Sequence, residues 1–267
     1  MRGLVTLPCS RYEAEATIVL MLRDTMIEVE PAWKFKAGRA ARLTLDAVGL
    51  REVGGRLVLR GAAPVARGFG SSTSDVVATI GAVCSASGSQ LGENEIAALA
   101  VQSEAASDPL MFDRAVLFAQ RDGVVLEDFG ARLPPLDVLG FSTTAHGAGV
   151  PTLAFPPASY SADEADVFEQ LRLRLRDAIA HGDANAVGAV ATASACLNQR
   201  HLPVENLDRL TRVVNRVGAA GIQVSHSGDI AGLLFDATAA DVELQAGEAE
   251  ALLAQAGLAE TWRFRTP

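Results

Sequence analysis

Lysine is nearly absent from this chain. Lys34 and Lys36 are the only lysines among 23 basic residues in 267. Neither stands in a Gly-Lys-Ser/Thr run, which excludes a P-loop. Positive charge is short as a whole, 23 basic against 32 acidic residues, for a net charge of −9. A chain of that sign repels phosphate backbones globally, so non-specific nucleic-acid binding is not expected. Cysteine is scarce too. Cys9, Cys84 and Cys196 are far apart and match no zinc or redox spacing. An odd count reads as reduced thiols in a cytoplasm. Long apolar runs are missing: Ile18 to Leu22 falls far below the ~20 residues that a membrane-spanning helix requires. Met1 to Leu7 is too short for a secretory leader. With 49% hydrophobic residues, what remains is a globular chain expected in the cytoplasm, large enough for one big domain or two ordinary ones.

The pattern along the chain favours two lobes. Alternation around Thr17, Ile18 and Val19, and again around Thr25, Ile27 and Val29 with Asp24 between, predicts a hairpin. Helical spacing follows over 36–48, then a short strand over 56–60 and a Gly/Pro-rich loop over 61–70. Helices are predicted over 71–85 and 94–106, and strands near 115–119, 124–127 and 136–141. Past the Pro/Gly-rich stretch at 147–157 the order changes to three helical runs (163–181, 183–200, 205–217), two strands (222–226, 230–235), a helix (239–256) and a last strand near 262–264. Strand and helix do not alternate regularly enough for a doubly wound parallel sheet. The class expected is α+β, with a boundary near residue 145.

The most informative stretch is Pro64-Val65-Ala66-Arg67-Gly68-Phe69-Gly70-Ser71-Ser72-Thr73-Ser74-Asp75, in the order strand, glycine loop, hydroxyl cluster, helix. Glycines admit positive φ and close approach of a ligand. A helix start offers unpaired N–H groups and the positive end of a dipole. The hydroxyls of Ser71, Ser72 and Thr73 can cap the helix, bind phosphate or complete a Mg²⁺ shell. On the pattern alone, a glycine turn before a Ser-capped helix accounts for it as well as a phosphate site does. A dinucleotide fingerprint would need a third glycine where Thr73 stands. A serine-hydrolase elbow would need glycine where Ser74 stands.

Glu104 and Asp108 are four apart. If the helix persists to Asp108 the two carboxylates share a face; by themselves they read first as a solvated helix end. Asp75, one turn into its helix, reads as a structural acid at a helix start. Arg67 reads as pointing to solvent. Ser225-His226-Ser227-Gly228-Asp229 contains the residue types of a hydrolase triad, but neighbours on a strand face opposite ways and cannot relay a proton. Asn198 and Arg200 close a helix, where an arginine either grips an anion or complements the helix end. His146, His181 and His201 have no ligand spacing, so zinc is not expected.

The segment from Pro64 resembles the second signature of the GHMP kinases: Pro, three residues, then Gly-Leu-Gly-Ser-Ser-Ala. Phe69 replaces the usual Leu and Thr73 the usual Ala. Ser-Ser-Thr, a small residue and Asp are similar to the branch of L-threonine kinases of cobalamin synthesis. Leu4 to Tyr12, Leu197 to Pro203 and Gly221 to Gly228 also resemble that branch. Its Glu-Pro-Thr-Asp-Ser run maps loosely onto Glu104, Ser107 and Asp108. The family begins with a strand and a Pro-Gly-Thr-x-Gly-Glu-Leu signature lining the acceptor site, and this sequence starts after it.

The resemblance implies a two-lobed α+β fold. Residues 1–145 would form an ATP-binding lobe like the second domain of ribosomal protein S5, and 146–267 a ferredoxin-like lobe. It implies ATP and Mg²⁺ as cofactors. Pro64, Gly68, Phe69, Gly70, Ser71, Ser72 and Thr73 would then line the nucleotide, with support from Ser227 and Gly228. Ser72 and Glu104 would hold the metal, and Asp108 would be the catalytic residue facing the acceptor hydroxyl. The implied reaction phosphorylates a small amino acid, L-threonine first, giving O-phospho-L-threonine for the cobalamin side chain. The alternatives are a silent nucleotide-binding or regulatory homologue and a kinase for another hydroxylated metabolite. A small-molecule substrate is the partner expected, with no nucleic acid and no membrane; a homodimer stays open.

Overall fold

The computed structural model describes residues 2–22, 24–65, 67–144, 158–226 and 228–267. The chain divides into two compact units, Met1–Thr6, Tyr12–Val65 and Gly70–Gly130 in the first, and Leu7–Arg11, Ala66–Phe69 and Ala131–Pro267 in the second.

In the first unit, β1 (Ala14–Leu22) pairs antiparallel with β3 (Val53–Gly61), while β2 (Ile27–Glu30) pairs parallel with the other edge of β3. The order β1-β3-β2 replaces the expected hairpin: β1 and β2 do not touch, because β3 lies between them. Helix α1 (Phe35–Ala47) makes the crossover that a parallel β2–β3 pair requires. Alternation along β1 turns Ile18 inward and Glu15, Thr17 and Val19 outward. Ile18, Leu57 and Leu59 meet Ala37, Ala41 and Leu45 of α1 and Val83 of α2 (Ser71–Ser87). Small residues on α1 also admit α2 and α3 (Glu93–Glu104), so Ala40, Val76, Ile80, Leu99 and Ala100 form a second cluster. The ribbon β4 (Val116–Ala119) and β5 (Val124–Asp128) packs Phe118 and Val116 against Ala97 and Phe112. Of the stretch from Leu4 to Tyr12, only Leu4 joins a sheet, through an isolated bridge to Phe118.

The second unit carries β6 (Leu136–Ser142), α4 (Ala162–His181), α5 (Ala184–Leu197), α6 (Leu207–Val217), β7 (Gly221–Val224), β8 (Ile230–Asp236), α7 (Val242–Gln255) and β9 (Thr261–Arg265). Its sheet is antiparallel throughout, in the order β7-β8-β6-β9. With α6 before β7 and α7 before β9, this is the ferredoxin-like split βαβ arrangement. Leu139, Phe141, Leu233 and Phe235 pack on α6 and α7. On the opposite face, Leu136, Val138 and Leu234 pack on α4 and α5 through Ala178, Ala184 and Val187. Covered on both sides, β6 is buried at all seven positions. Ser161 and Glu164 close a reciprocal capping box at the start of α4.

Candidate functional site

The glycine segment delivers the chain to α2 through Gly70, whose φ of +69° is the left-handed conformation that glycine adopts without strain. Gly70 has no side chain with which to cap the helix. The first-turn amides of Ser71, Ser72 and Thr73 therefore start a helix whose end carries partial positive charge.

Two carboxylates stand against that helix start. Glu104 ends α3 and is only 5% exposed. Its two oxygens accept hydrogen bonds from Ser72 Oγ at 2.5 Å and Thr73 Oγ1 at 2.7 Å. Thr73 Oγ1 in turn accepts the amide of Asp108 at 3.2 Å. The helix does not run on to Asp108. It stops at Glu104, and Ala105 turns the chain in the left-handed region at φ +68°. The two acids therefore do not share a helical face as the spacing suggested. They meet because the turn folds Asp108 back over α2, placing its Oδ2 3.1 Å from where a side chain on Gly70 would begin. Burial, and secondarily the charge of Glu104, push the Asp108 carboxyl up to about 6.

This cluster suits a hard cation. Hydroxyl and carboxylate oxygens are magnesium ligands, and Mg²⁺ usually takes only one or two carboxylates beside substrate phosphates and water. Among the described residues no group of three or more His, Cys, Asp and Glu could hold a metal by itself, so a phosphate-borne ion fits the donor set better than a self-sufficient cage. Burial raises the Cys9 and Cys84 thiols, which disfavours their thiolate forms.

The structure thus gathers Gly70, Ser72, Thr73, Glu104 and Asp108 in the first unit, with Ser71 opening α2 beside them. Pro64 stands in the loop after β3. Gly68, Phe69 and Gly228 belong to the second unit, where Gly228, at φ +91°, closes on Arg67 and Gly68. Ser227 lies outside the described residues. Arg67 does not point to solvent: its Nε donates to Asp229 Oδ1 at 2.7 Å, and the Asp229 side chain is fully buried. Asp75 is more than a helix-start acid, since it accepts from Lys34 Nζ at 2.7 Å in a pair that is nearly enclosed. Arg200 bonds Glu164 and the Ser159 carbonyl, and Asn198 accepts from Tyr160. Sequence reading missed the bridging role of Thr73 and the pairings of Lys34 and Arg67. Their partners lie 31 to 162 residues away, and only the Ser-Ser-Thr run hinted at them.

Residues 36–114 match the family described as the GHMP kinases N terminal domain. The chain is 28% identical over 188 residues to an L-threonine kinase of Citrobacter freundii, covering 70% of this chain and 65% of that one. It is 27% identical over 207 residues to an L-threonine kinase of Salmonella typhimurium, covering 78% and 67%. It thus spans about two thirds of the length of these curated relatives. Among solved structures, a homoserine kinase from Cytophaga hutchinsonii superposes with a TM-score of 0.69 at 15% identity, over 94% of this chain and 85% of that one. The L. major mevalonate kinase in complex with R-mevalonate gives 0.65 at 18% identity, over 99% and 89%. At such identities the likeness is one of fold. No described helix is long and apolar enough to cross a membrane.

Proposed function

We propose that this chain, which matches the GHMP kinases N terminal domain over residues 36–114 and is similar to two L-threonine kinases, transfers the γ-phosphoryl group of ATP to the hydroxyl of a small amino acid, L-threonine first. The observation that carries this reading is the cluster of Ser72, Thr73, Glu104 and Asp108 at the uncapped start of α2. The amides of 71–73 would receive the phosphates. Ser72 and Glu104 would hold Mg²⁺, which neutralises charge on the transferring group. Metal binding would release the Ser72–Glu104 hydrogen bond and turn both oxygens to the ion.

Asp108 would accept from the substrate hydroxyl. As the acceptor oxygen bonds to phosphorus and ADP leaves, the hydroxyl proton passes to Asp108 or, if Asp108 only orients, to water. A carboxyl near 6 is ionised at neutral pH yet a better base than an ordinary aspartate. The L-threonine kinase names of the two curated relatives support threonine as the acceptor, and O-phospho-L-threonine for cobalamin synthesis is the product this reading implies.

A coupled ADP-release assay with L-threonine, L-serine, L-homoserine and a sugar panel tests the proposal. Turnover should be greatest with a small hydroxy amino acid. Asp108→Asn should remove turnover and leave nucleotide affinity nearly intact. Unchanged turnover in that variant rejects the role given to Asp108, and ATP binding without turnover on any acceptor rejects the kinase.

A further inference from the structure

Helix α4, in the second unit, is charged by halves. Up to Gln170 it carries Asp163, Glu164, Asp166 and Glu169 and no base; past Gln170 it carries Arg172, Arg174, Arg176 and His181 against Asp177. Local effects account for part of this. Glu164 closes the capping box with Ser161, Asp163 and His181 lie in the end turns where the helix dipole acts, and Arg172 pairs with Glu169. Asp166 and Arg174 are left over. They lie inward of the end turns, where the dipole has faded. They also stand ~12 Å apart along the axis at ~1.5 Å per residue, too far to meet each other. Both are exposed, and among the described residues neither makes an ion pair.

Beside them runs an open groove of about 350 Å³ between α4 and α5, floored by Leu171, Ala178, Ala186, Ala189, Val190 and Ala193 and edged by Arg174. The alanines of α5 leave room there for a side chain from outside. Helix α4 itself carries one: Val167 is 43% exposed, next to Asp166 and one turn before Leu171. Antiparallel apposition of α4 with a second α4 satisfies these features together. Asp166, Gln170 and Arg174 are spaced i, i+4, i+8 and share one face. A two-fold axis at Gln170 pairs Asp166 of each copy with Arg174 of the other. It also brings Val167 of each copy level with Leu173 and Arg174 of the other, beside the groove. Such a contact is isologous, the same patch on both sides. We propose that the α4–α5 face is a self-association surface whose occupant is a second copy of this chain. Exposed ion pairs add little affinity. They fix the antiparallel register by making other registers repulsive, and apolar filling of the groove supplies the attraction.

Sedimentation velocity of the full chain from about 1 to about 100 μM should show a monomer–dimer equilibrium. Asp166→Arg and Arg174→Asp each set like charges against one another at both pairs, and should raise Kd about tenfold or more. Mixing the two variants in equal amounts makes every pair opposite again, so the mixed dimer should return to within about threefold of the natural Kd. A helix weakened by either substitution gains nothing from the mixture. Ala189→Glu fills the groove at little cost in helix propensity and should abolish the dimer. Gln170→Cys should yield, under mild oxidation, a dimer linked between the two substituted positions and identified by mass spectrometry. Helices about 8–10 Å apart bring residues on the axis within disulfide reach. Melting temperatures taken alongside show which variants are folded; should a charge variant fail to fold, Ala189→Glu and Gln170→Cys still decide. A natural chain that stays monomeric throughout overturns the proposal and leaves the groove to solvent or a small ligand. A dimer that neither charge variant weakens, or that the mixture does not restore, overturns it too. None of these readouts depends on turnover, so the kinase reading stands or falls separately.

Discussion

Thr73 shows how one hydroxyl can organise two acids. It donates to Glu104 and accepts from the Asp108 amide, so both carboxylates take their places from a residue that is 3% exposed. Valine at this position has the same shape without the hydroxyl, and leaves a buried carboxylate oxygen and an amide each short of a partner. That loss is worth ~1–3 kcal/mol, so kcat should fall roughly tenfold to a hundredfold in Thr73→Val. Thr73→Ser should restore most of it, which steady-state kinetics of the pair would check; equal activity in both would mean the hydroxyl orders nothing. Asp108 carries a second prediction. Its carboxyl is raised to about 6 by burial and by Glu104. Between the ordinary carboxylate range and 6 the folded chain therefore keeps a proton that the unfolded chain has lost. The unfolded state binds fewer protons in that window, so stability falls as pH rises through it. Asp108→Asn cannot ionise and should gain on the natural chain by up to roughly 2–3 kcal/mol on going from pH 4 to pH 8 without metal. Urea unfolding at the two pH values measures it, and an equal difference at both would remove the charge argument.

At the scale of elements, local pattern and long-range pairing part company. Helices α1, α2 and α7 fall where spacing and glycine stops put them, because periodicity is a property of the element itself. Strand pairing is not. β1 and β2 each alternate and a four-residue gap joins them, yet β3 enters between them. Gly54 and Gly55 make room: a Cβ on Gly54 would lie 2.2 Å from the Met26 carbonyl, and one on Gly55 2.4 Å from that of Val19. The Gly-Gly pair was visible in the sequence, but nothing local says which strand it serves. The end of α3 was likewise misread for want of a breaker, since Ala105 is an alanine doing what glycine usually does. At φ +68° it bears strain that Ala105→Gly should relieve, raising stability by roughly 0.5–1 kcal/mol despite the added unfolded-state entropy. Turnover should not change, because the backbone course to Asp108 is kept. Thermal unfolding with parallel kinetics checks both halves; a destabilised variant would show that the turn is unstrained.

For the whole molecule, the α+β class was legible from element order, and the two-lobed fold from resemblance of motifs; periodicity alone could not have supplied the β7-β8-β6-β9 order. Charge was the plainest feature of the sequence, and it bears on the site. On the proposed reading, a chain of net charge −9 with Glu104 and Asp108 next to the phosphates would confront ATP with repulsion both at long range and at contact. Two unit charges ~5 Å apart at an effective dielectric of ~20 repel by roughly 3 kcal/mol, more than a helix end contributes in attraction, typically ~0.3–1 kcal/mol. The amides of α2 alone should therefore not hold free ATP, and a divalent cation held by Ser72 and Glu104 would supply the positive charge that offsets this repulsion. Chelating the metal with EDTA should weaken ATP binding about tenfold to a hundredfold by calorimetry. Glu104→Gln should show the opposite bias, losing affinity for the magnesium complex while binding metal-free ATP more tightly than the natural chain does. ATP affinity indifferent to EDTA, with Glu104→Gln matching the natural chain in both conditions, would remove Glu104 and Ser72 from the metal and leave the helix start as the whole of the phosphate site.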